Sequence, residues 1–414
     1  MERIVAKNFG PLRDCSVVIS KYTVLIGPQG SGKSTLSRLY ASLAWIEKSA
    51  WRNPLFFENF DTEDFIKIIG YLQLDEFIES DTRVIYEGSL ITLRYSDKHV
   101  EIEKKRTLSY ILPKLLYIPS ERSYLSISDD FLSSGNLPSV FYELASDYSA
   151  ARSVIGSKGF DIPVNGFSFL FRKSDSSSII IDKSKNYYVR LNHAASGIQS
   201  VLPLALVFAY QCDVLRYEEK PGMSVISVQQ REKIMKVMEE FSGTRDISSE
   251  NTPEMNVLKA AGITEITDDL NQSRLLAKRL RRIFDFRLSA IIEEPEQNLF
   301  PLAQKELVEF LVRGTNNRNG SLLLTTHSPY VLSVLNNLIF AGEHSRKKGI
   351  DELISREIQI RYNEINAYYF STDGTSSSIM DADMKYINPE AIDSCSTEIN
   401  SVYASMEKIV YGGW

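Results

Sequence analysis

Cysteine and histidine are scarce in this chain of 414 residues, with three of the first and four of the second. Cys15, Cys212 and Cys395 are odd in number and far apart. They form neither a disulfide framework nor a metal-ligand cluster, which favours a reducing, cytoplasmic setting. His99, His193, His327 and His344 are too scattered for a histidine-rich metal site. Long apolar runs are also missing. The longest, around Val201 to Tyr210, is too short to span a bilayer, so no membrane is expected as a partner. The opening residues 1–7 are charged and strand-like rather than a signal peptide. Nor is there an excess of positive charge. The formal net charge is −6, so DNA or RNA could be held only by a local patch. The remainder is ordinary for a globular protein, 43% hydrophobic and 24% charged, and its length suits two or three domains.

Against that plain background one stretch stands out. Gly27, Pro28, Gln29, Gly30, Ser31, Gly32, Lys33, Ser34 and Thr35 fit the spacing G-x-x-x-x-G-K-[ST]. An apolar strand, Tyr22 to Ile26, precedes them, and a helical run from Leu36 follows. Glycines let successive backbone N–H groups curl around phosphate oxygens, and the helix N-terminus adds its positive end. Lys33 supplies a mobile charge for the β- and γ-phosphates, and the Ser34 hydroxyl can ligate Mg²⁺. A glycine-rich turn before a helix would not by itself need strand, loop and helix in this order. The expectation is a site for ATP or GTP.

Other stretches are placed to serve it. Residues 3–7 and 15–19 read as strands around a turn at 8–12, 51–80 as helical, and 83–105 as an antiparallel meander. Leu115 to Ile118 reads as a buried strand ending at Pro119, Ser120, Glu121 and Arg122, and 139–152 as a helix. Three strand candidates follow at 167–171, 178–181 and 187–191. Ser196 and Gly197 then open an apolar helix over 201–211. Residues 213–286 read as a helical insertion whose basic cluster is Arg274, Lys278, Arg279, Arg281 and Arg282. That cluster suits either a phosphate backbone or a solvated helix face. A second apolar strand, 288–292, ends in Glu293 and Glu294, carboxylates suited to holding Mg²⁺ and polarising a water. A third, 321–326, ends in His327. The tail offers strands at 357–361 and 366–370 and a helix over 389–409. Asp381 and Asp383 have no preceding strand-end glutamate to complete a nuclease metal site.

Taken together, these motifs resemble the ABC-type ATPase superfamily in its SMC, RecF and OLD-like branch. The turn at 8–12 resembles that branch's opening, and Ala195-Ser196-Gly197-Ile198-Gln199 is similar to its signature L-S-G-G-Q, with Ile198 in place of the second glycine. Glu293-Glu294-Pro295-Glu296 resembles Walker B, and Thr325-Thr326-His327-Ser328-Pro329 the switch loop. The resemblance implies an α/β P-loop ATPase head with a β-subdomain and a helical insertion. Its first part would be 1–212, its insertion 213–286 and its second part 287–414. It further implies Glu293 as magnesium ligand, Glu294 as base and His327 as γ-phosphate sensor. Ser196 and Gly197 would close on the nucleotide of an opposing copy in a head-to-head dimer. Glu121 and Arg122 would fall in the Q-loop region, although an ordinary surface ion pair explains them equally well.

ATPases of this size in that branch resemble anti-phage subunits of the Septu, PARIS and retron-associated kind, which implies a separately encoded effector protein such as a nuclease. A RecF-like repair ATPase that binds DNA directly is the alternative. A compact transporter head does not fit the long insertion.

Overall fold

The computed structural model describes residues 2–218, apart from 54, 106–109, 111, 128–138, 165 and 186, and residues 287–389. Of 219–286 and 390–414 it describes only 245–246, 265–266 and 406. The basic cluster at 274–282 therefore lies outside the described residues, as does nearly all of the helix expected at 389–409 and of the expected insertion.

A six-stranded sheet lies at the centre. Its order is Ser376–Ser378, Ile365–Phe370, Tyr22–Ile26, Ser321–Thr326, Arg287–Glu293 and Pro113–Ile118. All neighbours run parallel except the short Ser376–Ser378 edge. Near-continuous apolar strands are what a parallel sheet covered on both faces requires. Side chains sort by parity along each strand. Val24, Ile26, Ala290, Ile292, Leu322 and Leu324 enter one core, with helices Ser196–Glu218, Pro301–Asn317 and Pro329–Glu343. Leu25, Ile291 and Leu323 enter the other, against helix Lys33–Arg52. Burying each large aliphatic side chain is worth about 1.5–3 kcal/mol. A one-residue slip would exchange the faces of every strand, so the register is strongly held.

The N-terminal hairpin, Glu2–Phe9 and Leu12–Ile19, joins the meander in a five-stranded antiparallel sheet. The hairpin strands are followed by Ile78–Glu87, Ile91–Ser96 and His99–Lys104. Its turn uses positive φ at Asn8 and Gly10, and a Cβ on Gly10 would stand 2.7 Å from the Phe77 ring. A third sheet, Phe160–Asp161, Phe167–Arg172, Ser177–Asp182 and Tyr187–Arg190, packs with helix Ser139–Val154 beside the first turns of Ser196–Glu218.

The expected strand at 357–361 does not form. Arg356–Ile358 is a 3₁₀ turn, and the Ile360 N–H donates to the Leu338 carbonyl at 3.1 Å. Ile358 and Ile360 alternate because both are buried against helices, an arrangement that satisfies the same pattern without a sheet partner. Asp381 accepts from the N–H groups of Asp383 and Met384 at 3.0 and 2.8 Å, capping its own turn.

Candidate nucleotide site

Three adjacent parallel strands, Tyr22–Ile26, Ser321–Thr326 and Arg287–Glu293, each end where a motif begins. The crevice beyond such carboxyl ends is where open α/β sheets hold ligands.

The phosphate loop bridges strand Tyr22–Ile26 and helix Lys33–Arg52 with φ of 154° at Gly27, 74° at Gly30 and 94° at Gly32. A Cβ on Gly27 would collide with the Phe370 carbonyl, and one on Gly32 would come within 2.5 Å of Leu12. Gly30 has open space instead, and with Gln29 it forms the exposed crest. Pro28 and Ser34 are half-buried, and Thr35 is buried. No acidic residue occupies the helix's first turn, so its N–H groups are left for an anion. The Lys33 ammonium folds back on the loop, donating to Gly27 O at 2.9 Å, Pro28 O at 2.6 Å and Ser31 Oγ at 3.3 Å. Burial pulls it down to about 8, against the opposing pull of Glu294 and Glu296. Three carbonyl and hydroxyl oxygens thus hold the charge where phosphate oxygens would take it up.

Glu293 is fully buried, and burial pushes its carboxyl above the usual range. Its Oε1 accepts from the Tyr117 hydroxyl at 2.8 Å and lies 2.9 Å from the Ser37 hydroxyl, with Arg38 Nε at 3.6 Å. Oε2 has no partner. An orphaned buried carboxylate oxygen fits a Mg²⁺ ligand, and the Ser34 hydroxyl would be the second. The contact found here, however, is to Ser37, one helical turn beyond Ser34. Ser37, Arg38 and Tyr117 have no motif of their own. The only sequence signal for Ser37 is its position three residues after Ser34 on one helix face.

Glu294 stands at the opposite corner of the turn. Its N–H continues the ladder to Thr325 O at 2.9 Å, and then the chain reverses with φ of 42°. A left-handed non-glycine residue costs about 1–2 kcal/mol, and the following Pro295 further disfavours it. The side chain meets His327, with Nε2 3.1 Å from Oε1. A carboxylate only accepts, so Nε2 carries the proton. This hydrogen bond holds the Glu294 carboxyl below its ordinary value. Glu296 braces the loop at Thr326 and His327, accepting from Thr326 Oγ1 at 2.6 Å and the His327 N–H at 2.8 Å. Ser328 caps its helix and donates to Gln304 at 2.6 Å.

Glu121 and Arg122 part company. Glu121 is exposed and makes a long 3.8 Å pair with Arg38, an ordinary surface contact. Arg122 is fully buried among five main-chain carbonyls, and among the described residues no carboxylate side chain is hydrogen-bonded to it. Ser196 is exposed at the start of helix Ser196–Glu218. Gly197 packs against the turn at Asn298. Ile198 is 6% exposed, and its place in the core explains why glycine is absent there. Among the described residues, no hydrogen bond joins Ser196 or Gly197 to the phosphate loop of their own chain.

Comparison with known proteins adds three findings. Residues 288–333, from the carboxylate strand to the switch helix, match the family described as "AAA domain, putative AbiEii toxin, Type IV TA system". A stretch of 71 residues is 35% identical to an OLD nuclease of Thermus scotoductus, spanning 16% of this chain and 13% of that protein. Loose structural likenesses include an SMC head domain from Thermotoga maritima (8% identity, 91% of this chain and 97% of that one, TM-score 0.36) and the recombination mediator protein RecF (11%, 91% and 97%, 0.28). The fold is that of a P-loop NTPase. It is carried by the chain's own sheet order, with loop, carboxylates and histidine at adjoining strand ends. Among the described residues, no helix is long and apolar enough to cross a membrane.

Proposed function

We propose that this chain is an ATPase that hydrolyses ATP between two copies of its head and so regulates a separate effector. The observation that carries the reading is the Glu294–His327 contact beside the loop of Lys33. A carboxylate kept ionised by a histidine, next to a charged phosphate cradle, is equipped to orient and deprotonate a water. Gly27–Thr35 would hold the triphosphate, and Ser34 with the free oxygen of Glu293 would hold Mg²⁺, which when bound supplies positive charge to the β- and γ-oxygens. His327 would report the state of the γ-phosphate through Glu296 and the switch helix. Exposed Ser196, and Phe300 and Tyr330 at 71% and 52% exposure, support a surface completed by a second copy. The short match to an OLD nuclease supports an effector that cuts nucleic acid and a place in anti-phage defence.

Glu294→Gln tests the core of this. Phosphate release should fall by about 10²–10⁴-fold, the range for loss of a general base. ATP affinity should be retained, and sedimentation with ATP should show a trapped dimer. Undiminished turnover would place the base elsewhere.

A further inference from the structure

We propose that Arg122 is the positioning residue for Glu294. Its guanidinium, bound to consecutive carbonyls of residues 293–295, holds the backbone turn that aims the base at the nucleotide. This rests on Glu294 being that base.

The hydrogen bonds account for every donor. Nε donates to Ser200 O at 3.0 Å. Nη1 donates to Pro119 O at 3.3 Å and Glu293 O at 2.7 Å. Nη2 donates to Glu294 O at 2.8 Å and Pro295 O at 3.4 Å. A guanidinium has five N–H groups in one rigid plane, and all five are used. Burying a charge is costly even when it is fully hydrogen-bonded, and a neutral core would hold these three segments together more cheaply. What an apolar side chain could not do is bind three carbonyls in succession. Those carbonyls flank the point where Glu294 adopts φ of 42° ahead of a proline, a conformation its own sequence disfavours. The strand ladder fixes the Glu294 N–H through Thr325, and Arg122 fixes its carbonyl. With both ends of the residue held, its side chain leaves the turn in one direction, toward His327. Lysine keeps the charge but presents it as a point on a flexible stem, and cannot span that arc.

The test uses the full chain. Phosphate release is followed over an ATP series for wild type, Arg122→Lys and Arg122→Gln, the latter keeping two N–H groups without burying a charge. Displacing a reacting group by about an ångström costs on the order of 10²-fold, so kcat should fall by roughly that factor. KM and the affinity for a fluorescent ATP analogue should stay within about twofold. In a Glu294→Gln background the same substitutions should cause no further loss, since two residues acting through one group are not additive. Ser126→Ala removes the 2.7 Å bond from Ser126 Oγ to Gln199 O, in the same 3₁₀ segment, and should leave kcat unchanged. A loss that adds to that of Glu294→Gln, a parallel rise in KM, or an equal loss from Ser126→Ala would overturn the inference. So would the unfolding of both Arg122 variants, which would make Arg122 a core residue only. A wild-type chain without ATP turnover would instead sink the reading of the site as an ATPase.

Discussion

Gly197 lies against the carbonyl oxygen of Asn298 so closely that a Cβ would stand 2.6 Å from it. The start of helix Ser196–Glu218 is thereby joined to the turn that follows the paired carboxylates, within one chain. Gly197→Ala must push these two segments apart, at an overpacking cost of about 1–3 kcal/mol. Turnover should drop steeply while the affinity of the phosphate loop for ATP holds. Thermal melting and nucleotide titration on the same variant separate the two effects. Ser196→Ala, at an exposed position, should leave the melting temperature unchanged and lower only ATP-dependent pairing of heads.

Lys33 makes nucleotide binding sensitive to pH. Its ammonium is depressed to about 8 before phosphate arrives, chiefly by burial. A triphosphate favours the charged form, so the bound state holds its proton to higher pH. Binding then takes up a proton above about pH 8, and affinity must fall as pH rises through that value. Calorimetry at pH 7 and pH 9 should show weaker binding at pH 9. Lys33→Ala should bind weakly at both, and a wild type with equal affinity at the two would refute the linkage.

Tyr117 holds one oxygen of Glu293 while leaving the other open. Residues that orient a metal ligand typically contribute 10–100-fold to metal affinity. Tyr117→Phe should therefore raise the Mg²⁺ concentration for half-maximal turnover by about tenfold, with little change at saturating metal. A magnesium titration of phosphate release reads this directly.

Glu47 predicts a stability slope remote from the site. It is 2% exposed and accepts from the N–H groups of Leu90 and Ile91 and from the Tyr86 hydroxyl. Burial, reinforced by nearby Glu2, raises its carboxyl from 4.5 to about 7. Between those values the folded chain holds a proton that the unfolded chain has lost, so stability decreases as pH rises, by at most about 1.4 kcal/mol per pH unit. Glu47→Gln should flatten urea melts compared between pH 5 and pH 7. A slope unchanged by the substitution would show that another group is responsible.

The sequence made Gly27–Thr35, the paired carboxylates and His327 legible, because each is a fixed run at the end of an apolar strand. It also showed the hairpins, since alternation and turn residues are local. Arg122 stayed ambiguous because its burial depends on carbonyls from three segments that meet only in the folded chain. Ser37 and Tyr117 carry no such signal for the same reason, since Ser37 reaches Glu293 from helix Lys33–Arg52 and Tyr117 from the neighbouring strand Pro113–Ile118. At 357–361 the alternating pattern predicts a strand, although burial between helices produces the same alternation.

Strand Ile365–Phe370 lies beside the phosphate-loop strand, and the Phe370 carbonyl occupies the space that a side chain at Gly27 would need. This strand and the turn after it bind the N-terminal hairpin, the Val18 N–H donating to the Tyr368 hydroxyl at 3.0 Å and the Arg13 N–H to the Gly374 carbonyl at 2.8 Å. During synthesis the ribosome therefore makes the cradle first and its neighbouring wall among the last parts described. A nascent chain that stalls before Phe370 carries the whole phosphate-loop motif without this support, and should not take up nucleotide until the wall has arrived.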